Sequence, residues 1–200
     1  MSGGSPARGL RPAVFLDRDG VLDELVADPA SGFGESPLRV DDVGLVPGAA
    51  AALRTLAGRG FALICISNQP AAAKGRVSVE QLLAVHERVV ALLAHEGARL
   101  DGSRLCLHHP DGIVPELSGP CACRKPAPGM LLDAAHALGV DPRASWMVGD
   151  TDADVGAARA AGCRTLLIEH AGSIHKRSSD MRPDLTAPDL SRGAALLLAA

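Results

Sequence analysis

Short apolar runs recur along this chain, each ending in small polar or acidic residues, with segments of helical spacing between them. Ala13-Val14-Phe15-Leu16 stops at Asp17, and Phe61-Ala62-Leu63-Ile64-Cys65-Ile66 stops at Ser67-Asn68-Gln69-Pro70. Arg104-Leu105-Cys106-Leu107-His108 and Ser145-Trp146-Met147-Val148 follow, and Thr165-Leu166-Leu167-Ile168 is the last. Continuous apolar runs bounded by turn residues predict strands buried on both faces, as in a parallel sheet. Helices are predicted over about 49–57, 78–95, 129–138, 152–161 and 190–198. Ser78 with Gln81 three residues on opens the second as a capping box, and Gly97, Gly139 and Gly162 close the second, third and fourth. His86 and His95 fall on the second helix as surface or boundary residues. Strands alternating with helices predict a single α/β layered sheet.

Two segments lack periodicity. Residues 21–46 carry Pro29, Gly32, Gly34, Pro37 and Gly44 and read as a long loop or flap, which in a compact domain is usually functional. Glu35, Ser36 and Arg39 are its candidates for touching a substrate, or else they solvate the loop. Residues 170–182 read as a polar loop. The opening 1–12 is rich in Gly, Ser, Pro and Arg without an apolar stretch, and reads as a flexible leader ahead of one domain over 13–200.

The net charge of −3 and aromatic content of 2% leave no basic, aromatic footprint of a nucleic-acid partner. No apolar run is long enough to span a bilayer, so no membrane partner is expected either. Five cysteines without a secretory segment argue against a disulfide framework and for a cytoplasmic chain, with Cys65 and Cys163 as small buried hydrophobes. A monomer is expected.

Chemistry concentrates at the strand tips. Asp17 and Asp19 are two apart in extended backbone, so both carboxylates can face one point beyond the carboxyl end of their strand. Close carboxylates repel unless a cation relieves them, and a hard divalent ion such as Mg2+ is the natural one. Ser67 and Asn68 offer neutral groups for a phosphate oxygen. Arg124, Lys125, Asp150 and Asp154 complete a candidate site for phosphate and Mg2+.

Cys106-x-His108 and Cys121-x-Cys123 form two pairs of soft ligands separated by a loop. Thiolates with an imidazole select Zn2+, and a four-ligand tetrahedral site folds a loop without catalysing hydrolysis. His108 fits the spacing better than His109. One structural zinc is expected in a loop at about 106–123.

Phe15-Leu16-Asp17-Arg18-Asp19-Gly20, Ser67-Asn68-Gln69, Arg124-Lys125-Pro126 and Gly149-Asp150-x-x-x-Asp154 resemble the four motifs of the haloacid dehalogenase superfamily of phosphatases. With the Cys/His pairs, the resemblance is to the subgroup containing the D-glycero-D-manno-heptose 1,7-bisphosphate 7-phosphatases and the histidinol-phosphate phosphatases. It covers about residues 14–168. It implies a Rossmann-like three-layer sandwich around a central parallel sheet, without a large cap domain. The implied activity is Mg2+-dependent hydrolysis of a phosphoric monoester, either of a heptose bisphosphate in carbohydrate (heptose) biosynthesis or, alternatively, of histidinol phosphate or another small amino-alcohol or sugar phosphate.

By that resemblance Asp17 is the nucleophile, and Asp19 protonates the leaving group and then activates water. Asp17, the Asp19 carbonyl and Asp150 hold Mg2+, and Ser67, Asn68 and Lys125 attend the phosphoryl oxygens. Arg124 binds a more distant part of the substrate, and Asp154 orients the metal shell or Lys125. Val21 stands where the family often has threonine, and Pro70-Ala71-Ala72-Ala73-Lys74-Gly75 replaces a Ser/Gly-rich run.

Overall fold

The computed structural model describes residues 10–29, 32–178 and 180–200. The apolar runs become β1 (Ala13–Leu16), β4 (Ala62–Asn68), β5 (Gly102–Cys106), β6 (Trp146–Gly149) and β7 (Arg164–Ile168), joined by a short β8 (Leu185–Ala187). Their order is β5-β4-β1-β6-β7-β8, and every pairing is parallel. The chain leaves β1 toward β4 on one side and returns to β6 on the other. That reversal puts the topological switch point at the carboxyl end of β1, where open parallel sheets bind ligands.

Strand alternation sorts the core into two faces. Val14 and Leu16 of β1 point to the side covered by α1 (Ala49–Gly58), α2 (Val79–His95) and α5 (Leu190–Ala199), where Leu53, Val89 and Leu197 are buried. Ala13 and Phe15 point to the side covered by α3 (Gly129–Leu138) and α4 (Asp152–Ala161), against Leu131 and Ala158. The result is the three-layer arrangement expected. Helix bounds follow the predicted ones within a residue or two; the Ser78 hydroxyl caps the second helix by accepting from Gln81 N–H at 3.2 Å, but the Gln81 side chain donates to the Leu38 carbonyl (2.7 Å) and leaves the capping box half made.

The departures are local. β4 continues through Ser67 and Asn68, which pair with Leu105 and Cys106, so the polar tip belongs to the strand. β5 begins at Gly102, earlier than its apolar pattern, because this edge strand is only half-buried and has less need of apolar residues. The 21–46 flap contains a small antiparallel pair, β2 (Val26–Ala27) with β3 (Gly34–Glu35). The polar 170–182 segment holds a 3-10 helix, Ala171–Lys176. Of the predicted leader, residues 1–9 lie outside the described residues, while Arg11 is tied down by backbone bonds to Gly139 (3.2 Å) and Asp141 (3.0 Å). Among the described residues no helix is long and apolar enough to cross a membrane.

Cys65 and Cys163 are buried as expected, and burial pushes the Cys163 thiol up to about 12. His95 is exposed and His86 is half-buried on α2. Burial, reinforced by the nearby Arg18 charge and opposed by Asp19, pulls the His86 imidazole from 6.5 down to about 4. Between those values the unfolded chain binds a proton on His86 and the folded chain does not, so stability is retained above pH 6.5 and falls as pH drops toward 4. His86→Leu should remove on the order of 1 kcal/mol of that loss, allowing for solvent screening of a half-exposed ring. Urea melts of both proteins at neutral and mildly acidic pH test it; parallel curves would refute the assignment.

Candidate active site

At the end of β1 the chain must turn sharply, and residues 17–20 do so under the carboxyl edge of the sheet. The Asp17 N–H donates to Val148 O at 2.8 Å, which fixes Asp17 between β1 and β6. Gly20 follows at φ +79°, and a Cβ there would collide with the Asp150 carboxylate. The missing side chain therefore lets the first and last acidic segments meet.

A pocket of about 310 Å³ opens over this edge, lined by Asp17, Asp19, Asn68, Arg124, Lys125 and Asp150 among others. Lys125 Nζ lies 2.9 Å from Asp17 Oδ1 and 2.6 Å from Asp154 Oδ1, and also donates to the Ile66 carbonyl at 2.8 Å. Burial would lower the lysine's affinity for its proton, but Asp154 and Asp17 outweigh it and hold the ammonium well above the ordinary lysine range. Asp154 Oδ2 accepts from the Thr151 hydroxyl (2.7 Å) and N–H (3.0 Å), so one carboxylate anchors both the start of α4 and Lys125. Gly149 has no room for a Cβ beside Asp154, which explains the glycine before Asp150.

The structure therefore brings Asp17, Asp19, Asp150, Asp154, Arg124 and Lys125 together from distant parts of the sequence. Ser67 and Asn68 arrive too, Ser67 turned into the protein and Asn68 at the pocket wall with its amide tied to a neighbouring backbone. Ser67 is fully buried, its oxygen 2.9 Å from Gln69 Nε2 and 3.4 Å from Asp19 Oδ2. Asn68 forms a reciprocal pair with the Lys125 backbone, each bond 3.0 Å. Of the flap candidates, Glu35 and Ser36 reach the pocket, whereas Arg39 pairs with Asp41 at 3.8 Å on the surface. Lys74 and Lys176 also line it, and sequence reasoning missed both. Their only signal was basic residues in two stretches without helical or strand period, Lys74 with Arg76 and Lys176 with Arg177.

Asp17, Asp150 and Asp154 each offer an oxygen within 4.8 Å of the others, and all three are buried. Burial, with Asp154 and Asp19 adding repulsion against the pull of Lys125, pushes the Asp17 carboxyl up to about 7. Burial and the Asp17 charge push Asp150 up to about 8. Such raised values mark carboxylates with too little positive charge around them, and a hard divalent cation fits the all-oxygen donor set.

A second cluster lies in the loop after β5. Cys106, His108, Cys121 and Cys123 present ligand atoms within 4.8 Å of one another. Sulfur–sulfur distances are 3.7 Å (Cys106–Cys121), 2.9 Å (Cys106–Cys123) and 3.3 Å (Cys121–Cys123), and His108 Nδ1 is 3.4 Å from Cys123 Sγ. All are too long for a disulfide bond; a tetrahedron with metal–sulfur bonds of about 2.3 Å has an edge of about 3.8 Å, which Cys106–Cys121 matches while the other two pairs lie closer. His109 turns away, its Nδ1 accepting from Asp111 N–H at 3.1 Å.

Known proteins are similar to this chain in sequence and fold. A family model described as HAD-hyrolase-like covers residues 122–192. The D-glycero-beta-D-manno-heptose-1,7-bisphosphate 7-phosphatase of Yersinia pestis is 42% identical over 161 residues, 80% of this chain and 81% of that protein. Its counterpart in Escherichia coli K12 is 38% identical over 161 residues, 80% of each. A crystal structure of the D,D-heptose 1,7-bisphosphate phosphatase from B. bronchiseptica, complexed with magnesium and phosphate, superposes with a TM-score of 0.76. It is 29% identical and covers 94% of this chain and 98% of that one.

The chain belongs to the haloacid dehalogenase superfamily of phosphatases and is a phosphoric monoester hydrolase. It is closely related to the D-glycero-D-manno-heptose-1,7-bisphosphate 7-phosphatases.

Proposed function

We propose that this protein removes the 7-phosphate of D-glycero-D-manno-heptose 1,7-bisphosphate with the help of Mg2+. Asp17 attacks phosphorus and takes the phosphoryl group as an aspartyl phosphate. Asp19 gives a proton to the leaving sugar oxygen, then accepts one from the water that opens the aspartyl phosphate. Lys125 holds Asp17 in line and balances charge on the transferring oxygens, with Asp154 and Asn68 fixing Lys125 from either side. Ser67 supports Asp19 from behind. Asp17, Asp150 and the Asp19 carbonyl are the residues that would hold Mg2+, which when bound screens carboxylate from phosphate and draws charge off the phosphoryl oxygens.

The observation that carries the substrate class is the cationic outer wall. Lys74, Arg124 and Lys176 line the pocket that Asp17 closes at its base, against one carboxylate, Glu35, which pairs with Lys176 at 3.1 Å, so this wall keeps a net positive charge. A second phosphate is attracted there, whereas the ammonium group of histidinol phosphate meets like charge. Phosphate release from heptose 1,7-bisphosphate should therefore exceed release from histidinol phosphate by about 100-fold or more in kcat/KM, a difference of nearly 3 kcal/mol. The reverse order would replace this substrate with the amino-alcohol ester.

Cys106, His108, Cys121 and Cys123 are read as the ligands of one structural Zn2+. Their donor chemistry and spacing support this. Metal analysis should find one zinc per chain. Stripping it should make these thiols react freely and lower the melting temperature, because the loop over 106–123 has little core of its own. Thiols that titrate fully in untreated protein would contradict the assignment. A thiol cluster suited to zinc and two buried thiols, Cys65 and Cys163, accord with the reducing cytoplasm as its compartment. The sheet and both helical layers lie within 13–200, which supports reading that span as one phosphatase domain.

A further inference from the structure

Arg18, between the two catalytic aspartates, is fully buried. It sits in the bend between Asp17 and Asp19 and, unlike them, does not line the pocket. Its guanidinium returns to Asp19 instead: Nη2 donates to Asp19 Oδ1 at 2.8 Å and Nε at 3.2 Å. Behind it lies Asp23, also fully buried, with Oδ2 3.8 Å from Nε. The other Asp19 oxygen is held from a different segment, just past β4, with Gln69 Nε2 donating to Oδ2 at 2.6 Å. Gln69 is itself 1% exposed, and its N–H donates to the Cys106 carbonyl at 2.7 Å. Two buried donors from separate segments thus grip the two oxygens of one carboxylate.

Burying a guanidinium costs several kcal/mol that a hydrophobic side chain of similar volume avoids. The grip has a clear chemical use. A carboxyl that passes a proton to a leaving oxygen must be held at a fixed angle, and free rotation of Asp19 would scatter that transfer. The geometry points to Arg18 and Gln69 as positioning residues that set the orientation of Asp19 for protonation of the leaving group. This rests on the role given to Asp19 above and adds the residues that make it effective.

Leaving-group dependence separates this role from a merely structural one. kcat/KM ends at the first irreversible step, transfer to Asp17, so later hydrolysis does not enter it. A sugar alkoxide needs the proton, whereas 2,4-dinitrophenolate departs without one. Arg18→Met should lower kcat/KM for heptose 1,7-bisphosphate about 100-fold, and Gln69→Met about 10-fold, within the range a general acid supplies. For 2,4-dinitrophenyl phosphate each should lose less than about threefold, and Arg18→Lys should recover part of the sugar-ester loss. Fluorescence of Trp146 checks folding; should Arg18→Met fail to fold, Gln69→Met carries the test alone. Equal losses on both esters, or no loss on the sugar ester, would overturn the proposal while leaving the phosphatase reading intact. A wild-type enzyme that cleaves neither ester would overturn both.

Discussion

Asp17→Asn should abolish turnover, by about four orders of magnitude or more, while melting close to the wild-type temperature. The amide has nearly the shape of the carboxylate but cannot attack phosphorus. Its effect on folding is small or favourable, because Asp17 is buried among acids. Burial and repulsion from Asp154 and Asp19 already push it up to about 7 despite Lys125. Phosphate release at fixed enzyme concentration, with a urea melt beside it, reads both quantities. Activity within tenfold of wild type would remove Asp17 from the chemistry and with it the assignment of the motif.

Lys125→Met has the second largest expected effect, and it falls on stability as well as rate. The ammonium is 3% exposed and ion-paired with Asp17 at 2.9 Å and Asp154 at 2.6 Å. Removing it leaves two buried carboxylates facing each other, a change that costs about 3–5 kcal/mol when one partner of a buried pair is lost. Turnover should fall by about 1,000-fold, since the transferring oxygens lose their fixed positive charge. The two consequences separate in the double variant with Asp154→Asn. Stability should recover in part, because one of the two uncompensated carboxylates is gone and Asp17 no longer faces it, while turnover stays low. Recovery of both would mean that Lys125 serves only to neutralise Asp154.

What the sequence disclosed follows from how much burial each segment undergoes. β1, β4 and β6 are central and shielded on both faces, so their residues form uninterrupted apolar runs that announce themselves. The acids at their ends are legible for the same reason: Asp17 and Asp150 interrupt those runs abruptly. The Cys/His spacing was equally plain, and in the structure His108 stands with the three cysteines while His109 turns to Asp111. β8 has three residues at the sheet edge, too few to establish a period, and the β2–β3 pair has two in each strand.

The outer wall of the pocket was the least legible part. Lys74 and Lys176 come from aperiodic stretches, and only folding brings them to the same opening. Lys176 is held there by Glu35 at 3.1 Å, a long-range pair between the flap and the 3-10 helix that no local pattern encodes. Ser67 and Asn68 were found at the right strand tip, but which way their side chains turn depends on Gln69 and on the Lys125 backbone. Arg18 gave no sign of its burial, because an arginine between two aspartates reads as a solvated turn until the sheet closes over it.

The central claim is that the phosphoryl group passes through Asp17, and trapping that adduct tests it most directly. Enzyme turning over heptose 1,7-bisphosphate is quenched in acid, reduced with borohydride and digested for mass spectrometry. An acyl phosphate is reduced to the alcohol, so the account predicts homoserine in place of Asp17 in the peptide carrying Asp17-Arg18-Asp19, dependent on substrate. Homoserine at another aspartate, or an unaltered peptide from enzyme shown to accumulate phosphoenzyme, would contradict it.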